Sequence, residues 1–497
     1  MALRRWWPYH LAMQIICEGS SRISGTSDGI RLVQNQPHFH DEPVLVGDSF
    51  VDAYGCSIYG SVLQEDGGFR MWYQAWPQDY DNTDSLLVGC VESDDGIHWR
   101  RPEYGLIERG GNRDNHLTSL PFHAPSVFVD PDAEPDRRYR AFGYLHPERA
   151  VGFDVAAGAK GFYTAHSADG LKWTIDPGPV WHSADVITAA WDPWCSEGGA
   201  ARIALKKNGP AVGQHRRRFF TSEWSRGQAT APVSAFVPDE ADDLAARAHG
   251  CVSADYYGLS WIPTPGPTVA VVWTFRHIYP LGRSPDRLWN YGNFGQVDLE
   301  LRYQTERGGR WLALPGRPDW VTAADGPEWA RGGLYAASHA IDVGDETWLY
   351  VTGTREQHGW SGAGIDTGEA RKQRVAAGGF AHIGRVTWPR NRLLGYRATL
   401  REQVDLLSGP VSAEEPAGLR INVTCGDGGH ARAALFDSEY QPIEGFGFEE
   451  CDGLSGDHQE GPVTWKGSAD LPAAAGDLIA RVEIEDASLW AFSFGSG

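Results

Sequence analysis

A repeated seven-residue motif limits this chain to a small set of folds. Ser93-Asp94-Asp95-Gly96-Ile97-His98-Trp99 and Ser167-Ala168-Asp169-Gly170-Leu171-Lys172-Trp173 both read S-x-D-G-x-x-W, and Thr305-Glu306-Arg307-Gly308-Gly309-Arg310-Trp311 is a worn third copy. The copies start 74 and then 138 residues apart, and 138 is twice 69. A unit of about 70 residues with one eroded copy, for which Thr221-Ser222-Glu223-Trp224 is the candidate, accounts for the spacing. The motif is a turn: Ser and Asp side chains bond nearby backbone N–H groups, Gly takes a positive φ, and Trp packs back onto the sheet.

Each copy follows an apolar, strand-like run: Leu86 to Val91, Phe162 to Ala165, and Val297 to Tyr303. Stretches with helical period are nearly absent, the one plausible helix of this region being Pro238 to Ala248. Strands and turns at this spacing predict an all-β chain, a five-bladed β-propeller with a C-terminal β-sandwich. The inner strands are expected near Cys56 to Leu63, Ala124 to Asp130, Val186 to Trp191, Asp255 to Trp261 and Leu334 to Ala340. Residues 1–49 then form a segment leading into the propeller, 50–394 the propeller and 395–418 a helical or linker-like stretch. Strict alternation at Leu419, Ile421 and Val423, and again at Trp490, Phe492 and Phe494, marks residues 419–497 as the sandwich.

Composition agrees with many short strands: 60 Gly and 21 Trp in 497 residues favour turn and sheet. The formal charge of −21 disfavours a nucleic-acid partner, since such proteins carry a concentrated positive patch. The only short basic run, Arg216-Arg217-Arg218, reads as a strand with a solvated face. No apolar run approaches the length of a membrane span, and no secretory leader is recognisable. Seven scattered cysteines without a CxxC pair argue against a zinc ribbon or a disulfide scaffold and suit a reducing, cytoplasmic setting. Neither a cofactor motif nor a metal site is recognisable.

In a propeller, polar residues near the starts of the inner strands converge on one axial funnel. Acids beside aromatics there suit a sugar pocket, where rings stack on C–H faces and carboxyls perform acid and base work. The expected catalytic carboxyls are Asp192, Asp255 and Glu328, with Glu328 as general acid. Asp185, His123, Trp191, Tyr257, His339 and His358 are the expected substrate-binding residues. Asp192 and Asp255 also suit turn caps, and the histidines suit a satisfied core. Asp94, Asp95 and Asp169 belong to the turns.

The segment Glu92 to Pro102, followed by Gly105-Leu106-Ile107-Glu108, Gly111 and Asn115, resembles a recurrent pattern in bacterial proteins related to glycoside hydrolase family 32. His123 to Phe128, Arg138-Tyr139-Arg140, Gly445-Phe446, Cys451 to Leu454 and Gly456-Asp457 extend the similarity. The resemblance implies a furanosidase-type five-bladed propeller with a C-terminal sandwich. That family's invertases carry W-M-N-D-P-N-G, R-D-P and E-C-P-D motifs, and none is intact here. Trp191-Asp192-Pro193 is a partial echo of the second, and Asp28 is the only N-terminal acid near the place of the first. The expected function is therefore a glycosidase acting on furanosyl or related glycosides, with a small-molecule or oligosaccharide substrate. The alternatives are a repurposed propeller enzyme (transglycosidase, phosphorylase or biosynthetic cyclase) and a non-catalytic carbohydrate-binding protein.

Overall fold

The computed structural model describes residues 13–16, 20–80, 86–183, 185–195, 198–211, 214–280, 291–305, 309–359, 368–410, 418–472 and 477–495. Among these the chain is all-β and forms a five-bladed propeller plus one curled eight-stranded sheet. The first blade is Gly55–Glu65, Gly68–Trp76 and Val88–Ser93, and the second is His123–Val129, Tyr139–Leu145, Gly161–Ser167 and Thr174–Ile175. The third is Ile187–Asp192, Ala200–Ala211 and Gln214–Ser225 with the short edge strands Gln228–Ala229 and Val233–Phe236. The fourth is Ser253–Ile262, Thr268–His277 and Gly295–Gln304. The fifth is Gly333–Ala336, Glu346–Thr354 and Ala381–Pro389, and its outer edge is completed by His38–Phe39 from the N-terminal region, closing the ring with distant chain.

The repeated motif is a clasp between neighbouring blades. Ser93 Oγ accepts from Gly96 N at 2.9 Å while Asp95 Oδ1 accepts from Ile97 N and His98 N at 2.8 Å. Ser167 and Asp169 repeat the pattern at 2.9 and 2.8 Å. Gly96 and Gly170 have φ of 74° and 77°, which glycine adopts without a Cβ penalty. Each turn then offers a carbonyl to the preceding blade. Tyr350 Oη donates to Gly96 O at 2.8 Å and Trp72 Nε1 to Gly170 O at 2.7 Å. The third copy falls partly outside the described residues, 306–308 among them, but its Trp311 lies 4.4 Å between ring centroids from Phe236 of the preceding blade. Trp224 faces Phe142 of the second blade from inside strand Gln214–Ser225, so the segment taken as the eroded copy is strand and not turn.

Helix Glu240–Ala248 forms where expected, with Asp239 and Asp242 building a reciprocal capping box. A second helix, Gly368–Ala376, was not expected; its Glu, Ala, Lys and Arg content favours helix in a stretch without an apolar stripe. The stretch expected as a linker, 395–418, instead carries strand Glu402–Pro410 and most of Leu394–Ala398, both in the eight-stranded sheet. That sheet also takes Gln14–Ile15, Ile23–Thr26 and Arg31–Gln34 from the segment before the propeller. Its two long strands, Gly418–Phe436 and Asp477–Gly495, bury Leu419, Ile421, Val423, Val482, Ile484 and Phe492 in a core of their own. Among the described residues no helix is long and apolar enough to cross a membrane, and the described cysteines are free.

Candidate active site in the axial funnel

The starts of the inner strands meet in a cavity of about 220 Å³. Tyr59, Trp76, His123, Tyr257, Tyr335 and His358 line it, with Glu356 at its edge. The wall is rigid by stacking: the Tyr59 ring lies parallel to Trp273 at 5.8 Å, and Tyr335 stands edge-on to both Tyr59 and Tyr257 at 5.4 Å. Such interlocked rings present flat apolar faces with hydroxyls at their rims, the surface that suits a polyol ring.

Charge enters from the third blade. Its inner strand, Ile187–Asp192, is six residues long, while its next two strands are twelve residues each and run past it. That overhang brings Lys206 and Arg217 to the funnel. Lys206 Nζ contacts one oxygen of Asp185 and sits 4.0 Å above the Tyr257 ring. The other Asp185 oxygen lies 3.3 Å from His123 Nε2. Asp185 has φ 82°, a left-handed conformation rare for a residue with a side chain and commonly found at working sites. Burial pushes its carboxyl upward in pKa, but the Lys206 charge and then His123 outweigh this and hold it well below the usual carboxylate range. The group is ionised at neutral pH. His123 Nδ1 is buried and has no hydrogen-bond partner among the described residues.

Behind this layer lies Asp255, its side chain 2% exposed, 3.2 Å from both Arg217 and His277. Burial opposes its ionisation, yet Arg217 and His277 bring its pKa down to about 2. Arg217 also donates to Gly292 O at 2.9 Å and to Asn293 Oδ1 at 3.2 Å, so it is a strut inside the wall and not a solvated charge. His358 Nδ1 meets Asn293 O at 2.6 Å and its Nε2 meets Tyr257 Oη at 3.2 Å. Burial, and then the Arg217 charge, lower its pKa to about 4, leaving it neutral at pH 7.

The structure therefore brings His123, Tyr257 and His358 to the cavity wall, and Asp185 and Asp255 behind it. It separates the other expected site residues from them. Asp192 ends its strand at the far side of the blade, paired with Arg202 at 2.5 Å and capping Trp194 N at 2.9 Å. Trp191 packs there with the core of the second and third blades. His339 lies deeper along the axis, bonded to Ser338 at 3.0 Å and lowered to about pKa 4 by burial. Glu328 opens a short turn whose Trp329 packs on Phe39 and donates to Asp41 O, away from the cavity lining. Lys206, Arg217, Tyr59, Trp76, Tyr335 and Glu356 are the additions. Tyr59 and Tyr335 fall within the expected inner strands and were legible there as inward aromatics. Lys206 and Arg217 come from outer strands, which carry no such signal.

A larger groove of about 930 Å³ lies at the periphery between the third and fourth blades, walled by Phe236, Leu244, Trp311 and Arg317. None of the expected site residues lines it. Among the described residues no group of three or more His, Cys, Asp and Glu side chains could hold a metal ion.

No protein-family model matches the sequence, and no curated protein matches it. Among solved structures, a glycosyl hydrolase from Bacteroides ovatus is similar at 11% identity, covering 79% of this chain and 97% of its own, with a TM-score of 0.40. An exo-beta-1,3-galactanase from Phanerochaete chrysosporium, solved with galactose, is similar at 12% identity over 90% of this chain and 100% of its own, with a TM-score of 0.39. A glycoside hydrolase family 43 arabinoxylan arabinofuranohydrolase from Bacillus subtilis gives 10% identity, 90% and 96% coverage and a TM-score of 0.35. Similarity this low assigns no role to any residue of this chain.

Proposed function

We propose that the axial funnel is the active site of a glycosidase that holds one terminal sugar residue against the tyrosine wall. The observation that carries this reading is the ionised Asp185 carboxylate, fixed by Lys206 and His123 beside an aromatic cavity of single-ring size. A glycosidic bond breaks through an oxocarbenium-like state, and a fixed anion behind the His123 and Tyr257 wall stabilises that positive charge through the field it sets in the cavity. Glu356, which lines the cavity and is 48% exposed, is paired with Arg374 at 2.7 Å, so in this reading the leaving oxygen takes its proton from solvent. Asp255 acts through Arg217 and positions the wall. Asp192 and Glu328, placed elsewhere, have no part in the chemistry. A furanosyl ring is the favoured substrate class, supported by the resemblance of the Glu92 to Asn115 region to family 32-type proteins.

The experiment is a screen of the purified protein on aryl furanosides, aryl pyranosides and fructans, with Asp185→Asn as control. Release of the aryl group by the native protein and its loss in the variant supports the reading. A second reading, sugar binding without turnover, is favoured by one observation: Asp185 and Asp255 are both already ion-paired. Calorimetric binding of a monosaccharide with no turnover on any of the panel would select it.

A further inference from the structure

The hydrogen bonds around Tyr257 have a fixed direction. Asn293 O can only accept, so the 2.6 Å contact places the His358 proton on Nδ1. A neutral imidazole then has a lone pair on Nε2, and the Tyr257 hydroxyl 3.2 Å away must donate to it. The oxygen of Tyr257, a residue that lines the cavity, is left to accept. This is a one-way path for a proton, from the cavity through Tyr257 to His358. Lys206 Nζ stands 4.0 Å above the ring with Arg217 at 5.7 Å, but burial and then the Asp185 carboxylate hold the Tyr257 hydroxyl well above its usual pKa, so it passes its proton on only as it gains another.

We propose that Tyr257 is a catalytic residue that accepts a proton from the attacking water while passing its own to His358 Nε2. The proposal rests on the glycosidase reading above. In the step, one O–H bond of water breaks and its proton goes to Tyr257 Oη. The Tyr257 proton goes to His358 Nε2, and the hydroxide oxygen bonds to the anomeric carbon. The bond from that carbon to the leaving oxygen breaks, its electron pair stays on the leaving oxygen, and that oxygen takes a proton from a solvent water. The imidazolium then gives its proton to the hydroxide so formed, which completes a hydrolysis. Direct attack by water inverts the anomeric carbon, and Asp185 serves as a fixed charge and not as the nucleophile. Tyr257 of the fourth blade bonds His358, Arg217 and Lys206 of the third blade push its titration down, and the bond to Asn293 O and the Asp185 carboxylate push it up. Together with burial they leave it neutral down to about pH 4, so it is an acceptor throughout the neutral range.

The test uses the full chain, the most responsive aryl glycoside, Tyr257→Phe and His358→Gln, the latter keeping a donor for Asn293 and an acceptor for Tyr257. Thermal melts verify folding of both. Expected are a fall of about 100-fold in kcat with KM nearly unchanged in either variant. Wild-type activity should be lost as pH falls through about 4, and the product should appear with inverted anomeric configuration by NMR. Wild-type kcat in Tyr257→Phe, or a retained configuration, overturns the proposal. Nitrogen-15 NMR of His358 separates this from failure of the glycosidase reading. If no glycoside is cleaved, that reading fails. An Nδ1–H tautomer whose Nε2 shift moves in Tyr257→Phe still supports the proton path, and an Nε2–H tautomer overturns it.

Discussion

Asp185 Oδ1 lies 3.3 Å from His123 Nε2, joining the entrance of the second blade's inner strand to that of the third. The contact matters because the two residues are 62 apart in sequence and neither belongs to a local motif. Only the ring of blades makes them neighbours. On the other side Lys206 neutralises the same carboxylate, so the funnel holds an anion whose partners come from two blades.

Lys206 is buried and its charge is matched only through this cluster. Replacing it with methionine leaves Asp185 without its main counter-charge. Loss of one member of a buried pair costs about 3–5 kcal/mol, and the partial exposure of Asp185 reduces that to about 2 kcal/mol. Urea unfolding of Lys206→Met at pH 7 measures it, and an unchanged midpoint would show that the pair has no structural weight.

Asp255 makes stability depend on acid. Its native pKa of about 2 lies below the value of about 3.9 for an unfolded Asp. A depressed native pKa gives stability that is complete above the unfolded value and is lost as pH falls through the native one. The wild type should therefore exceed Asp255→Asn by a pH-dependent part of about 2 kcal/mol at pH 6. That part should shrink between about pH 4 and pH 2, as read from denaturant melts at stepped pH. A gap independent of pH would contradict it.

The clasp between blades can be separated from ordinary glycine strain. Gly105 and Gly170 have φ of 68° and 77°, but a Cβ at Gly105 meets nothing within 4 Å while one at Gly170 lies 2.7 Å from the Trp72 ring. Gly105→Ala should cost about 1 kcal/mol from backbone strain alone. Gly170→Ala should cost about 3 kcal/mol, because the ring must also move. Trp72→Phe, which removes the donor to Gly170 O, should cost at least about 1 kcal/mol. Equal melting temperatures for the two alanine variants would remove the clasp from the account.

The propeller was legible because its determinants are local. A Ser-x-Asp-Gly turn closes through its own side chains, so Gly96 and Gly170 announce themselves in sequence, and each inner strand is an apolar run bounded by turns. The N-terminal strands were hidden because their partners are remote: His38–Phe39 pairs with Ala381–Pro389, and Gln14–Ile15 with Asp477–Gly495. Strand Glu402–Pro410 looked like a linker because Glu402, Gln403 and Asp405, the last paired with Arg481 of the neighbouring strand, interrupt its apolar residues. The site was legible in part for the same reason. His123, Asp185, Asp255 and Tyr257 lie at inner-strand starts and could be placed by counting strands. Arg217 sits in a basic run that resembles a solvated face and is buried only because the third blade's hairpin overhangs the funnel. Asp192, flanked by Trp191 and Pro193, carried the louder motif but lies at the other end of its strand, where it pairs with Arg202.

In the proposed glycosidase Asp185, and not Asp192 or Glu328, serves the chemistry of the funnel. The most direct measurement is kcat/KM for Asp185→Asn, Asp192→Asn and Glu328→Gln on the best aryl glycoside, each normalised to folded protein. Expected are a loss of at least about 100-fold for Asp185→Asn and values within about twofold of wild type for the other two. Full activity in Asp185→Asn alongside an inactive Asp192→Asn or Glu328→Gln would contradict it.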